Sequence, residues 1–216
     1  MPKQVLREAA RVDGPAGVLE TLIEYPSTVT ENTPVAVIAH PHPAHGGAMT
    51  NKVVATLARA FNLCGQVAVR FNFRGVGASD GAYDEGRGEL TDLLAVLNWA
   101  RERWPGVPVS LAGFSFGAGM AVAATQHADV PQVLLVAPPV GRIIDPNLRL
   151  PESVNACVVQ GGKDELVDAD AVVAWADTQA PGIEVAVLPD ADHFFHGQLV
   201  VLRETLMGFI GTGQTA

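Results

Sequence analysis

The sequence has no apolar run long enough to span a bilayer and only two cysteines, Cys64 and Cys157. A membrane-crossing helix needs about 20 mostly apolar residues, so none is expected, and two isolated cysteines make no disulfide framework. Residues Met1 to Gly14 alternate polar and apolar side chains and lack the continuous apolar stretch of a signal peptide. The expectation is a cytoplasmic chain with buried thiols. Basic residues are also scarce: 14 Lys and Arg stand against 23 Asp and Glu, a formal net charge of -9, and no basic run could follow a phosphate backbone. Nucleic acid and membrane surfaces are therefore not expected partners. No Gly-Lys-Ser/Thr follows a glycine-rich loop and G-x-G-x-x-G does not occur, which argues against a phosphate loop or a dinucleotide fold.

The 216 residues are 48% apolar and 17% charged, the composition of a globular chain able to bury a core. No repeat or low-complexity linker divides it, so residues 1–216 are expected to form a single domain. From Val35 onward short apolar runs alternate with helical patterns, the mark of an α/β fold with a mainly parallel, twisted sheet of about eight strands and helices on both faces. Val5 to Val12 and Val18 to Tyr25, joined by a turn at Asp13-Gly14-Pro15, predict an antiparallel hairpin at the N-terminal edge. Strands are expected at Val35 to Ala39, Gln66 to Phe73, Pro108 to Gly113, Gln132 to Ala137, Ala156 to Gln160 and Glu184 to Leu188. Between them, Thr50 is placed to cap a helix carrying Val54, Leu57, Phe61 and Cys64, and Gly65 to stop it. Further helices are expected on Leu90, Leu93, Leu94 and Leu97, from Phe116 to His127, from Ala169 to Thr178, and on Leu199, Leu202, Leu206 and Phe209, with a frayed tail from Gly211 to Ala216.

The most informative stretch is Gly113-Phe114-Ser115-Phe116-Gly117, a G-x-S-x-G between an expected strand and an expected helix. A tight strand-to-helix turn strains the serine backbone and leaves no room for side chains beside it, which gives both glycines a steric purpose. A serine hydroxyl is a weak nucleophile at neutral pH and needs a base in hydrogen-bond reach. Asp164, in Gln160-Gly161-Gly162-Lys163-Asp164, and His193, in Asp190-Ala191-Asp192-His193-Phe194-Phe195, each follow a strand, and the chain order Ser, Asp, His suits this kind of fold. Asp168 is an alternative acid, but it lies farther from the strand end and is placed to cap the next helix. His196 is the alternative base. Asp190 and Asp192 read as solvated loop carboxylates.

Taken together, the His40-Pro41 loop, Arg74-Gly75-x-Gly77-x-Ser79, Gly113-x-Ser115-x-Gly117, Gly161-x-x-Asp164 and His193-Phe194-Phe195 resemble the α/β-hydrolase superfamily over nearly the whole chain, specifically its small bacterial members without a lid, of carboxylesterase or dienelactone-hydrolase type. The resemblance implies that Ser115 attacks an acyl carbonyl, that His193 takes and later returns its proton, and that Asp164 fixes the imidazole tautomer. It also implies an oxyanion hole from the backbone N–H groups of Phe116 and His42; the sequence has His40-Pro41 where the family has His-Gly, and Pro41 and Pro43 have no N–H to give. His40, His42 and His45 could be taken for a zinc cluster, but no cysteine or carboxylate ligand sits at matching spacing, so neither metal nor cofactor is expected. His40 and the Arg74 to Asp80 loop are given structural roles.

Ala137 leads through Pro138-Pro139 and Pro151 to the next strand in a stretch too short for a separate cap, so an open site is expected. Phe114, Phe116, Phe194, Phe195 and Met120 are candidates for an apolar acyl pocket or for plain core. The expected activity is hydrolysis of short-chain carboxylic esters through an acyl-enzyme on Ser115, with a small acyl ester as the partner molecule. Thioesterase, peptidase and acyltransferase activity would use the same residues, and a non-catalytic binding protein on the same fold is the reading from a different class. A homodimer is left open.

Overall fold

The computed structural model describes residues 6–180 and 182–212. Val5, the expected start of the first strand, and 213–216, the end of the expected tail, lie outside them. The chain runs β1 (Arg7–Gly14), β2 (Gly17–Glu24), β3 (Val35–Ala39), α1 (Lys52–Leu63), β4 (Val67–Phe71), α2 (Arg87–Arg103), β5 (Val109–Phe114), α3 (Phe116–Ala124), β6 (Gln132–Val136), β7 (Asn155–Gly161), α4 (Ala169–Asp177), β8 (Glu184–Leu188) and α5 (Leu199–Thr212). All eight strands form one sheet in the order β1-β2-β4-β3-β5-β6-β7-β8. The pairs β1·β2 and β2·β4 are antiparallel, and every pair from β4 to β8 is parallel. The sheet is thus mixed and mostly parallel, with the antiparallel edge at the N-terminus.

The central strands β3, β4, β5 and β6 are buried at every position, and mostly apolar, because helices cover both faces. Along β3, Val35, Val37 and Ala39 enter one core with Leu93 and Leu97 of α2, Ala118 and Ala121 of α3, and Trp175 of α4. Ala36 and Ile38 enter the other with Val54, Leu57 and Phe61 of α1 and Leu202 and Leu206 of α5. This period of two in a strand, meeting helical stripes above and below, is what sorts the helices into layers.

Several boundaries differ from the sequence expectation. Asn51, not Thr50, caps α1: its Oδ1 accepts from the Val53 N–H at 2.8 Å. β4 stops at Phe71: the Asn72 N–H still reaches Glu20 O of β2, but the Phe73 N–H leaves the ladder for the His40 ring. Helix α3 ends three residues before His127, and α5 runs on through Gly211. Of the two thiols, Cys157 is buried, its pKa pushed up to about 12 by burial, whereas Cys64 is partly exposed.

Two buried ion pairs fasten the loops to this frame. Arg70 on β4 meets Glu24 on β2 at 2.7 Å, and Arg74, just beyond β4, meets the fully buried Asp92 of α2 at 2.7 Å. In the 74–81 loop, the Ala78 N–H goes to Glu20, the Asp80 N–H to Val18 O and the Gly75 N–H to Asp80 O. With its amides so committed, this loop is a structural turn against β2. Between β6 and β7, residues 137–154 form turns and one isolated bridge, Val140 to Ile144, with no helix inserted.

Candidate active site

The parallel strands all end on one side of the sheet, and the loops that follow β3, β5, β6, β7 and β8 meet there, where open α/β sheets bind ligands. Ser115 stands between β5 and α3 at φ 53° and ψ -117°, a conformation that costs a non-glycine residue on the order of 1–3 kcal/mol. The surroundings impose it: the Ser115 N–H continues the sheet to Val136 O at 2.9 Å while its carbonyl accepts from the Gly119 N–H of the helix at 3.1 Å. A Cβ on Gly113 would sit inside the Gly117 carbonyl, and one on Gly117 would collide with the carbonyls of Ala39 and His40. The two glycines let helix and strand close around the serine.

The same logic joins the loops after β7 and β8. A Cβ on Gly161 would lie 2.5 Å from Ala191 O, and one on Gly162 would lie 2.9 Å from Pro189 Cα. With no side chains there, the Gly162 N–H reaches Leu188 O at 2.8 Å and the Lys163 N–H reaches Ala191 O at 2.9 Å. Asp164 and His193 are thereby brought together.

His193 Nδ1 lies 2.8 Å from Asp164 Oδ2, and His193 Nε2 lies 3.1 Å from Ser115 Oγ. Both the histidine and the aspartate side chains are buried. Burial pushes the Asp164 pKa up, but hydrogen bonds from His193 and from the Val167 and Leu166 amides outweigh it and hold the pKa below the usual carboxylate value. An ionised Asp164 accepts the Nδ1 proton, which leaves Nε2 as an acceptor facing the serine hydroxyl. Gln160, at the end of β7, adds an Nε2–H bond to Asp164 Oδ2 at 3.0 Å. Sequence reasoning missed this residue; its only signal was a lone amide in an apolar strand.

The alternatives are occupied elsewhere. Asp168 caps α4 through the Asp170 N–H, His196 pairs with Asp192 at 2.7 Å on the surface, and Asp190 pairs with Lys163. His40 has both ring nitrogens committed: Nδ1–H donates to Pro41 O at 2.6 Å, and Nε2 accepts from the Phe73 N–H at 3.1 Å. It is wholly buried, and burial lowers its pKa to about 4, with the Pro41 hydrogen bond opposing. Of the three histidines of this loop, the His42 and His45 rings meet edge to face at 4.5 Å while His40 is held by Pro41 and Phe73, and no group of three or more His, Cys, Asp or Glu side chains able to hold a metal occurs among the described residues.

His42 and Phe116 line the same cleft as Ser115, their rings 5.0 Å apart. The Phe116 N–H opens α3 and so has no intrahelical acceptor, and the His42 N–H has none among the described residues. The His42 ring takes the Ala44 N–H on Nδ1 and meets the Tyr83 hydroxyl at 3.2 Å on Nε2. Tyr83 is another contributor that local sequence did not mark.

The cleft has a volume of about 590 Å³ and is also lined by Asn51, Arg142, Ile143, Leu166 and Phe194. Ile143, Leu166 and Phe194 are exposed apolar side chains around it. Of the five proposed pocket residues, Phe116 and Phe194 line the cleft, while Phe114, Phe195 and Met120 are buried core.

Residues 36–150 match the family model described as serine aminopeptidase, S33. An uncharacterized protein of Rickettsia prowazekii (strain Madrid E) is 35% identical over 212 residues, covering 94% of this chain and 88% of that one. Among solved structures, an α/β serine hydrolase homologue from Coxiella burnetii is 42% identical with a TM-score of 0.87, over 93% of this chain and 96% of that one. An α/β serine hydrolase without a lid from Xanthomonas campestris is 37% identical with a TM-score of 0.90, over 100% and 98% of the two chains. With this sheet order, this strained serine turn and no inserted lid, the chain belongs to the α/β serine hydrolases, among their small lidless members.

Proposed function

We propose that the protein hydrolyses short-chain carboxylic esters through an acyl-enzyme on Ser115, with His193 as general base and acid and Asp164 as the group that orients it. The observation that carries this reading is the unbroken chain from Asp164 through His193 to the Ser115 hydroxyl, opening on an uncovered cleft. Attack by Oγ on the carbonyl passes its proton to Nε2, and the leaving alcohol then takes that proton. A water repeats the sequence in reverse to release the acid. Charge developing on the carbonyl oxygen is met by the Phe116 and His42 amides.

Ester bonds are favoured over N-terminal peptide bonds by the composition of the cleft. An aminopeptidase must hold the substrate's α-ammonium, yet among the described residues no Asp or Glu lines this cleft; Asp164 is buried behind His193, and the Glu165 carboxylate is turned to the His193 backbone N–H at 3.4 Å. Exposed Ile143, Leu166 and Phe194 offer short acyl chains an apolar surface.

The test is Ser115→Ala on a panel of p-nitrophenyl esters of increasing acyl length, with the corresponding thioesters and aminoacyl anilides. The expected result is turnover of the short esters by the wild type, a loss on the order of 10⁴ or more in kcat for the variant, and a fluorophosphonate adduct on Ser115 alone by mass spectrometry. Equal rates in the two proteins would sink the nucleophile assignment, and anilide turnover above ester turnover would overturn the bond assignment.

A further inference from the structure

The cleft residues that the triad and the two oxyanion amides do not use are unequal in charge. They include no carboxylate and one fixed cation, Arg142. The guanidinium is exposed and has no ion pair or hydrogen bond among the described residues. Other arginines around the same end of the sheet are committed: Arg70 to Glu24, Arg74 to Asp92 and Arg87 to Asp84. On a chain with a net charge of -9, an unpaired cation lining the same cleft as Ser115 runs against the overall sign of the charge.

Arg142 is also held in place by its backbone. It sits in a turn where the Arg142, Ile143 and Ile144 N–H groups all point to Pro139 O, at 3.2, 3.0 and 3.2 Å, and the Gly141 N–H closes on Ile144 O at 2.9 Å. Gly141 supplies the positive φ of 78° that this turn requires. The neighbouring Ile143 packs over α3 at Gly119, where a Cβ would lie 2.7 Å from Ile143 Cγ2. The turn therefore presents Ile143 and Arg142 to the cleft together, an apolar contact next to a positive fork. Burial, and then the proximity of His45, lower the pKa of the neighbouring His42 ring.

We propose that Arg142 selects esters that carry a carboxylate, such as hemiesters of short dicarboxylic acids, by pairing with the free carboxylate while the ester carbonyl lies at Ser115. This rests on the esterase reading above and narrows its substrate class. A planar guanidinium matches a carboxylate with two parallel N–H···O bonds, and among the described residues no acid lines the cleft to compete for it.

The experiment compares the p-nitrophenyl hemiester of glutaric acid with neutral p-nitrophenyl butyrate, in wild type, Arg142→Gln and Arg142→Lys. The quantity read is the ratio of kcat/KM for the charged ester to that for the neutral one. The expected ratio falls about fivefold or more in Arg142→Gln, mainly through KM. Arg142→Lys restores part of it, and added salt erodes the wild-type ratio because an exposed pair is screened. A ratio that is the same in all three proteins while the neutral ester is turned over overturns the role of Arg142 and leaves the esterase reading standing. A wild type that cleaves neither ester overturns both.

Discussion

At Gly161 the absence of a side chain does the positioning. Its missing Cβ is what lets the Ala191 carbonyl approach the end of β7, and through that contact the loop bearing His193 is set against the loop bearing Asp164. Gly161→Ala places a methyl group 2.5 Å from a backbone oxygen, and backbone cannot swing aside as a side chain can. Overpacking of this kind costs about 1–3 kcal/mol, so Tm should fall by roughly 2–4 °C per kcal/mol in a chain of this size. The displacement falls on the imidazole, so kcat on a short ester should drop by more than tenfold, roughly, since small misplacements of catalytic groups cost up to 10². Circular-dichroism melting and ester kinetics on the same sample check both; an unchanged kcat with a lowered Tm would show that the glycine serves stability alone.

At the scale of elements, His40 ties the end of β3 to the end of β4, joining two loops 33 residues apart through Pro41 O and the Phe73 N–H. Only a neutral imidazole can both donate and accept in this way. The folded pKa of about 4 lies below the ordinary 6.5, so the unfolded chain takes up the proton first as pH falls. The stability contributed by neutral His40 is therefore complete above pH 6.5, declines between 6.5 and about 4, and is lost below that; the shift corresponds to about 3 kcal/mol. In urea denaturation, the stability gap between wild type and His40→Gln should be widest at pH 7 and shrink by roughly that amount by pH 4. A gap that does not depend on pH would refute the linkage. The existence of this loop and its histidines was readable from His40-Pro41-His42-Pro43, and so were the strands, because strands buried on both faces read as short, mostly apolar runs. The partner of His40 was not. Nothing near residue 40 encodes the amide of Phe73, just as nothing near Arg74 encodes Asp92, and β4 ends early for that non-local reason.

Over the whole molecule, local patterns and chain order carried the architecture furthest, since a tight G-x-S-x-G turn needs its strand and helix beside it and the strands after it were bounded by glycine and proline. The contacts around the cleft were legible only in three dimensions: Gln160 behind Asp164, Tyr83 against His42 and Arg142 at the wall come from one strand and two different connections. The openness of the cleft has a consequence for kinetics. With only turns and one isolated bridge in residues 137–154, no helix from that segment covers Ile143, Leu166 or Phe194, and these side chains already stand exposed. A covered apolar site gains activity at a lipid–water interface because the surface opens its cover; this site has none to open. Hydrolysis of a sparingly soluble short ester such as tributyrin should therefore rise smoothly with concentration and show no jump where emulsion droplets first form. Initial rates taken across the solubility limit, with turbidity followed in parallel, measure this directly. A sharp rise at the onset of droplets would mean that the 137–154 segment rearranges over the cleft. The apolar rim would then be the underside of a cover, and a surface-dependent substrate would displace the small soluble ester proposed here.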